Sequence, residues 1–376
     1  MLFPSLLHLL ILLGLFLITI NYLYNLQTFR FPRVSRVINH PPFLSVLIPA
    51  RNEELRLTPC LDSVTGNDYP NFEVLVLDDH SHDDTAGLID RHAKGDSRIR
   101  RLKGQDLPGG WTGKAWACHQ LSLAAKGDLF LFLDADTRLS GTALSSAVNV
   151  ALEQQSDLLS LWPQQEAKTW SEILVIPFVH LFILFYLPHW MRGRQAQLGA
   201  ANGQFMLFRK ASYEKIGGHE SVRGHMVEDI ALARRLRREG LKVLNLDGSD
   251  PGAPEALVRC RMYTRFAEVW EGFTKNLYPS FDGNLPAFFV FQFLQILIFL
   301  TPFFLIFTNH AEPLVYSEIA IILFLRLSLA NRFRQNYLGA FLHPLGQILV
   351  LAIAGNSLLQ TFRRRLPWRG RHYAHT

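Results

Sequence analysis

The chain has 376 residues, 49% of them hydrophobic and 19% charged, with a formal net charge of +6. That is ordinary for a core-forming chain but too apolar for a purely soluble one, so membrane segments are expected. Cys60, Cys118 and Cys260 are few, odd in number and unpatterned, which excludes a disulfide framework and a zinc site and leaves them as packing residues.

In chain order, the uncharged stretch from Phe3 to Tyr24 has the length of a spanning helix, roughly 20 residues, and makes 1–26 a transmembrane anchor. It lacks the basic start, short apolar core and small-residue cleavage site of a signal peptide, and His8 within it reads as incidental. A basic linker, 27–43, follows with Arg30, Arg33 and Arg36, and the positive-inside rule then puts the chain beyond it in the cytoplasm.

From 44 to 284, short apolar runs alternate with helical stretches, the signature of an α/β domain with a largely parallel sheet. Ser45 to Ala50 is a first strand. Thr58 caps and Pro59 opens a helix, Phe72 to Asp79 is a second strand, and Asp83 or Asp84 caps a helix that Gly95 closes. The run IRRLKG from Ile99 is a third strand. A helix over Lys114 to Lys126 leads into DLFLFLDAD, and one over Gly141 to Gln155 leads into DLLSLWP.

The run Ile173 to Pro188 is apolar enough for another crossing, but it lies between Asp136 and Asp229. A single crossing there would put those acids on opposite sides of the bilayer, so 171–190 is expected to be interfacial or re-entrant, with His180, His189 and Trp190 at head-group level. A membrane region of two or three helices, 285–362, contains Leu285 to Phe307, Pro313 to Leu329 with Glu318 and Arg326 inside it, and Phe341 to Leu359. Three crossings would leave the basic tail, 363–376 with Arg363, Arg364, Arg365, Arg369 and Arg371, outside, against the positive-inside rule. One element is therefore expected to be an interfacial or re-entrant hairpin; His343-Pro344-Leu345-Gly346 and Gly355-Asn356 suit such a break, although kinked spanning helices contain the same residues. The tail reads as a topology signal or a contact to anionic head groups, and the net charge needs no nucleic acid to explain it.

In open α/β sheets ligands bind beyond the carboxyl ends of the strands. There this sequence keeps Arg51, Asn52 and Glu53 after the first strand, Asp78 and Asp79 at the second, and Asp134 and Asp136 at the fourth. No GxGxxG or GxxxxGK[ST] loop is present to cradle phosphate. Two carboxylates one residue apart can instead hold a hard divalent cation, which neutralises a diphosphate, although D-x-D is also a common turn cap.

LIPARNEE, VLVLDDHSHDDT, LFLDADT and GHMVEDIALARRLRREG occur in that order, and with them the sequence resembles the family 2 glycosyltransferases of GT-A fold over almost the whole 44–284 segment. The resemblance implies a GT-A (Rossmann-like) catalytic domain between N- and C-terminal transmembrane helices. It implies that Pro49, Ala50, Asn52, Glu53 and Asp78 meet the nucleotide, that Asp134 and Asp136 hold Mn2+ or Mg2+, and that Asp229, beside Glu228, is the catalytic base. PGGWTGKAWACHQ and RMYTRFAEVWEGFTKN look like the membrane-bound, lipid-glycosylating branch, particularly carotenoid (4,4'-diaponeurosporenoate-type) glycosyltransferases, with hopanoid and ceramide glucosyltransferases more distant. In that resemblance Lys114 approaches the diphosphate, Asn202 and Gln204 of GAANGQFMLFRK contact sugar or acceptor, and Arg261 or Arg265 meets the diphosphate. The terminal WRGRHY is also similar to the end of these lipid-directed enzymes.

The implied activity is transfer of one sugar, with inversion, from a nucleotide-diphosphate donor, UDP-linked in preference to GDP-linked, to a lipid or isoprenoid acceptor. A single displacement needs charge stabilisation at the leaving group and, for a hydroxyl acceptor, a base. Glu228-Asp229 also has a plain reading as negative charge at a helix amino terminus. The Q/R-x-x-R-W motif of processive synthases is not matched by Arg261, Tyr263, Arg265 and Trp270, which favours single transfer. A polyprenyl-phosphate or processive sugar transferase and a non-catalytic membrane scaffold are the alternatives. A transporter is disfavoured by the scarcity of ionisable residues along a plausible pathway and by the lack of an internal repeat.

Overall fold

The computed structural model describes residues 2–32, 40–188, 199–250, 255–308, 313–368 and 371–373. Arg33, Arg36, His189, Trp190 and Arg369 lie outside the described residues. The chain divides into two units, an α/β unit of 29–164 and 193–262 and a helical unit of 1–28, 165–192 and 263–374.

In the α/β unit the apolar runs become β1 (Leu44–Ala50), β2 (Phe72–Asp78), β3 (Ile99–Lys103), β4 (Leu129–Leu133), β6 (Leu158–Trp162), β8 (Phe205–Arg209) and β9 (Val243–Asp247). They form one sheet in the order β3-β2-β1-β4-β8-β6-β9. Pairing is parallel for β1 with β2 and β4, β2 with β3, and β6 with β9, while β8 runs antiparallel to both β4 and β6. Alternate residues supply two cores. Val46, Ile48, Val74, Val76, Leu131 and Leu133 pack into one, and Leu47, Leu75, Leu77, Phe130 and Phe132 into the other. The period-2 direction of strand side chains makes a sheet covered on both faces read as unbroken hydrophobic runs.

Helices α2 (Leu57–Thr65), α3 (Thr85–Gly95), α4 (Gly113–Ala124), α5 (Ala143–Glu153), α8 (Lys210–Lys215) and α9 (Glu228–Arg238) belong to this unit. The first of them begins at Leu57, after Arg56, so Thr58 and Pro59 stand inside its first turn rather than at its cap. Proline is tolerated there because the first amides of a helix have no intrahelical acceptor. The short strand β5 (Thr137–Leu139) pairs antiparallel with β10 (Val258–Cys260), and a two-residue strand β7 (Gln164–Gln165) follows β6.

The helical unit opens with α1 (Leu2–Thr28), of which Leu6–Thr28 is long and apolar enough to cross a membrane, as are α13 (Pro313–Arg332) and α15 (His343–Phe362). Their outward Leu9, Phe16, Phe324 and Ile348 side chains are exposed. Helix α10 (Phe266–Asn276), with the single turn that follows it, and α11 (Leu285–Phe299) make a pair bent by 119°, which reaches spanning length only if counted together. The bend falls at Asp282 and Gly283, with φ of 52° and 77°. Helix α12 (Thr301–Leu305) and α14 (Leu338–Phe341) are short.

Of the two expected breaks one is present, since α14 ends at Phe341 and α15 begins at His343, and the other is not. His343 to Gly346 are the first turn of α15, and Gly355-Asn356 lie inside it without interruption, where Asn356 Nδ2 donates to Thr274 Oγ1 at 2.9 Å. His8 is not incidental, because its Nδ1 lies 2.9 Å from Glu318 Oε1 with both side chains buried.

The run from Trp170 to Tyr186 is shorter than a spanning helix. It is cut into α6 (Trp170–Val175), α7 (Phe178–Leu181) and a π-helical turn over Phe182–Tyr186. Asn21 Nδ2 donates to Phe185 O at 2.9 Å, and Asn25 Nδ2 donates to Leu184 O and Leu187 O at 2.8 and 2.7 Å. Carbonyls at an abrupt helix end need such partners where water is scarce. Strands β11 (Leu366–Trp368) and β12 (Arg371–Tyr373) close the chain as an antiparallel pair.

Candidate active site

Four backbone segments meet at the carboxyl edge of β4, and the antiparallel run of β8 is why. Leu133 is paired with Phe205, so the residues entering β8 stand beside those leaving β4. The amide of Asp134 donates to Gln204 O at 3.3 Å, and Thr137 N donates to Asp134 O at 3.0 Å, closing the turn that presents Asp134 and Asp136.

Lys114 enters from the start of α4, whose cap Thr112 accepts from Ala115 N at 3.4 Å. Its Nζ lies 2.8 Å from Asp134 Oδ1, 3.1 Å from Asp134 Oδ2 and 3.1 Å from Glu228 Oε1. Burial disfavours this ammonium, but Asp134 and Glu228 outweigh that cost and hold its pKa well above the ordinary lysine value. Asp134 itself is pushed up by burial and by Asp136, against the pull of Lys114.

Asp229 follows Glu228 in the first turn of α9. Its Oδ2 accepts from Gly203 N at 2.8 Å and its Oδ1 from Ile230 N at 2.8 Å. Burial, then the neighbouring Glu228, raise its pKa to about 6 in spite of Lys114 and these two amides. Gly203 has no room to grow: a Cβ there would stand 3.1 Å from both Asp229 Oδ2 and Lys114 Nζ. The geometry thus gathers a lysine, two strand-end carboxylates and two helix-start carboxylates, with one carboxylate poised to exchange a proton near neutral pH.

A second group lies at the ends of β1 and β2, where Ala50 and Asp78 are register partners. Asn52 adopts φ of 55°, its amide donates to Ser81 Oγ at 3.0 Å, and its Oδ1 accepts from His82 N at 2.9 Å. Glu53 N donates to Thr85 Oγ1 at 2.9 Å, and Asp78 Oδ1 accepts from Ser81 N at 3.2 Å. Asn202 Oδ1 accepts from Gln204 N at 2.9 Å and its own amide donates to Ser160 Oγ at 2.8 Å. Pro49 lies within β1, and Arg261 directly follows β10. Arg265 falls in the helical unit, where it precedes α10, is 77% exposed and has its Nε 3.8 Å from Glu268 Oε1.

Sequence patterns missed two participants. Cys260 is not only a packing residue: its thiol donates to Asp136 Oδ1 at 3.3 Å and its sulfur accepts from Gln204 Nε2 at 3.0 Å. It stands in no motif, and only the pairing of β5 with β10, opposite Thr137, brings it there. Gly203 was hidden in the same way between the two polar residues Asn202 and Gln204.

Hard carboxylate oxygens on one turn suit Mg2+ or Mn2+. Among the described residues no three His, Cys, Asp or Glu side chains are placed to hold one metal ion together. The chain would then supply Asp134 and Asp136, and other positions would suit water and phosphate oxygens, the usual arrangement for a magnesium-like ion on a phosphorylated substrate. The donor set fits such an ion.

A sheet of this order, with acids at its carboxyl edge, is the architecture of a GT-A-type transferase. The fold is shared with the mannosyltransferase PcManGT from Pyrobaculum calidifontis in complex with GDP-Man and Mn2+, at a TM-score of 0.57 and 16% identity over 94% of this chain and 98% of that one. Residues 45–217 match the model of Glycosyl transferase family 2. Two relatives are named 4,4'-diaponeurosporenoate glycosyltransferase. The one from Staphylococcus haemolyticus is 27% identical over 253 residues and the one from Staphylococcus aureus strain USA300 is 30% identical over 257, each match covering 65% of this chain. The matches span 63% of the length of each relative.

Proposed function

We propose that the protein moves one sugar from a nucleotide-diphosphate donor to a lipid or isoprenoid acceptor, with inversion, in a single displacement. The observation that carries this reading is the convergence of Lys114, Asp134, Glu228 and Asp229 on one edge of the sheet. Asp78, Asn52 and Glu53, with Pro49 and Ala50, bind the nucleotide in this reading, and Asp134 and Asp136 hold Mn2+ or Mg2+. Such an ion supplies Lewis-acid stabilisation to a departing diphosphate.

The chain's own residues do the rest. Lys114 keeps the charge of Asp134 balanced and adds a cation beside the leaving group. Asp229, fixed by two backbone amides, takes the proton of an attacking hydroxyl, and its raised pKa suits that task near neutral pH. An acceptor carboxyl, as the names of the relatives suggest, is already ionised at neutral pH and needs no base. Asn202 and Gln204 contact sugar or acceptor, and Arg261 meets the diphosphate. The catalytic domain faces the cytoplasm, where nucleotide sugars are available.

Calorimetric binding of nucleoside diphosphates to detergent-purified protein, with Mn2+ or Mg2+ and again with chelator, tests this directly. Metal-dependent binding of UDP, or else GDP, that is lost in Asp136→Ala is the expected result. Absence of binding by every diphosphate would remove the reading.

A further inference from the structure

Helix α13 carries two charges inside its apolar length, and the structure treats them differently. Glu318 is answered within the protein by His8. Arg326, eight positions on and about 12 Å further along the helix axis, is only 2% exposed. Its Nη2 donates to Gly339 O at 3.2 Å, and its guanidinium lies 5.1 Å from the centre of the Phe178 ring. Among the described residues Nε and Nη1 of Arg326 have no hydrogen-bond partner, and no carboxylate forms an ion pair with it.

Beside it stands a second unanswered group. His343, fully buried at the head of α15, stacks on the same Phe178 ring at 5.9 Å and lies 5.5 Å from Phe299, and among the described residues neither of its ring nitrogens has a hydrogen-bond partner. Near the other end of that segment Tyr186 accepts from Gln295 Nε2 at 2.6 Å, which leaves its own hydroxyl proton to donate.

A guanidinium does not escape by losing its proton, so a buried one must be answered by charge. One carbonyl and an aromatic face return less than the desolvation of an unpaired ion costs. The remaining donors, Nε and Nη1 of Arg326 with an N–H of His343, are all of the kind that binds an oxyanion. Their surroundings, Phe178, Phe299 and Phe303, suit a hydrocarbon chain. An ionisable group within a spanning segment marks a site whose partner is to be named.

We propose that Arg326 and His343 form a binding site for the oxyanion group, carboxylate or phosphate, of a membrane amphiphile. This is independent of the sugar-transfer reading, since every residue named lies in the helical unit.

The test uses the full chain in neutral detergent and four probes: oleate, dioleoyl phosphatidylglycerol, oleyl alcohol and acetate. Binding is read by native mass spectrometry and by the shift of the thermal unfolding midpoint. Oleate or phosphatidylglycerol is expected to bind at least tenfold more tightly than oleyl alcohol or acetate. Which of the two anions prevails identifies a carboxylate or a phosphate as the natural group. Arg326→Gln should abolish the preference for the anion, while Arg326→Lys keeps part of it. If oleyl alcohol binds as well as both anions, or Arg326→Gln retains the preference, the proposal fails and internal water answers these groups. Should Arg326→Gln not fold, the comparison of anion with alcohol on the unaltered protein still decides.

Discussion

Asp229 is held by two amides and crowded by Glu228, and this environment sets what it can do. Its carboxyl titrates near 6, above the ordinary aspartate range, so the charged, proton-accepting form is present above that pH and lost below it. With a hydroxyl acceptor, kcat/KM should rise through a one-proton limb near pH 6 and level off above it. Asp229→Asn should remove that limb and lower kcat by about 10²–10⁴-fold while metal-dependent nucleotide binding persists, and a pH-rate series on both proteins checks this. Cys260 offers a finer test, because its thiol restrains the Asp136 carboxylate. Cys260→Ala should weaken metal-dependent nucleotide binding by about fivefold, the worth of about one hydrogen bond, and Cys260→Ser should recover most of it, as calorimetry would read. The acids were legible from their spacing at strand ends. Cys260 was not, because a hydrogen bond across two strands far apart in sequence leaves no local pattern.

At the scale of elements, β8 decides the shape of the site. Reversing one strand in an otherwise parallel sheet brings Asn202, Gly203 and Gln204 to the carboxyl edge, where Gly203 N reaches Asp229. The apolar run Phe205–Arg209 announced a strand, but direction depends on which neighbours it pairs with, and no residue within the run encodes that. The pairing of α1 with α13 through His8 and Glu318 was equally invisible, for the two are 310 positions apart. Glu318→Leu should leave His8 unanswered and lower stability by about 0.5–2 kcal/mol, and adding His8→Leu should restore part of it. A double-mutant cycle on unfolding midpoints in detergent measures the coupling. Elsewhere in this unit glycines let backbones close: a Cβ at Gly339 or Gly346 would stand 2.5 or 2.6 Å from the carbonyls of Ile173 or Leu174.

For the whole molecule the open choice is the path through the bilayer. Among the described residues three helices qualify as spans by themselves, and the 119° pair α10–α11 makes a fourth only if it is one crossing. With the α/β unit in the cytoplasm, as proposed, α13 and α15 would return Arg363, Arg364 and Arg365 to the cytoplasmic side if the bent pair turns back. A fourth crossing would leave them outside, against the positive-inside rule. We therefore predict three crossings with a cytoplasmic tail. A reporter fused after the last residue, active only in the cytoplasm, should be active, and activity of a periplasmic reporter in its place would establish the fourth crossing.

What the sequence determined by itself was whatever local periodicity and composition carry: the alternation of strand and helix, the anchor, the acids at the strand ends and the acidic start of α9. These follow from burial and from helix and strand geometry, which act over a few residues. The tertiary structure decided the rest. It gave β8 its direction, added a 119° bend at Asp282-Gly283, joined Lys114 to Asp134 and Glu228, and left Arg326 without an anion among the described residues. Each of these depends on pairs distant in the chain, and such contacts are settled only when the cores close and every buried polar group must find its partner.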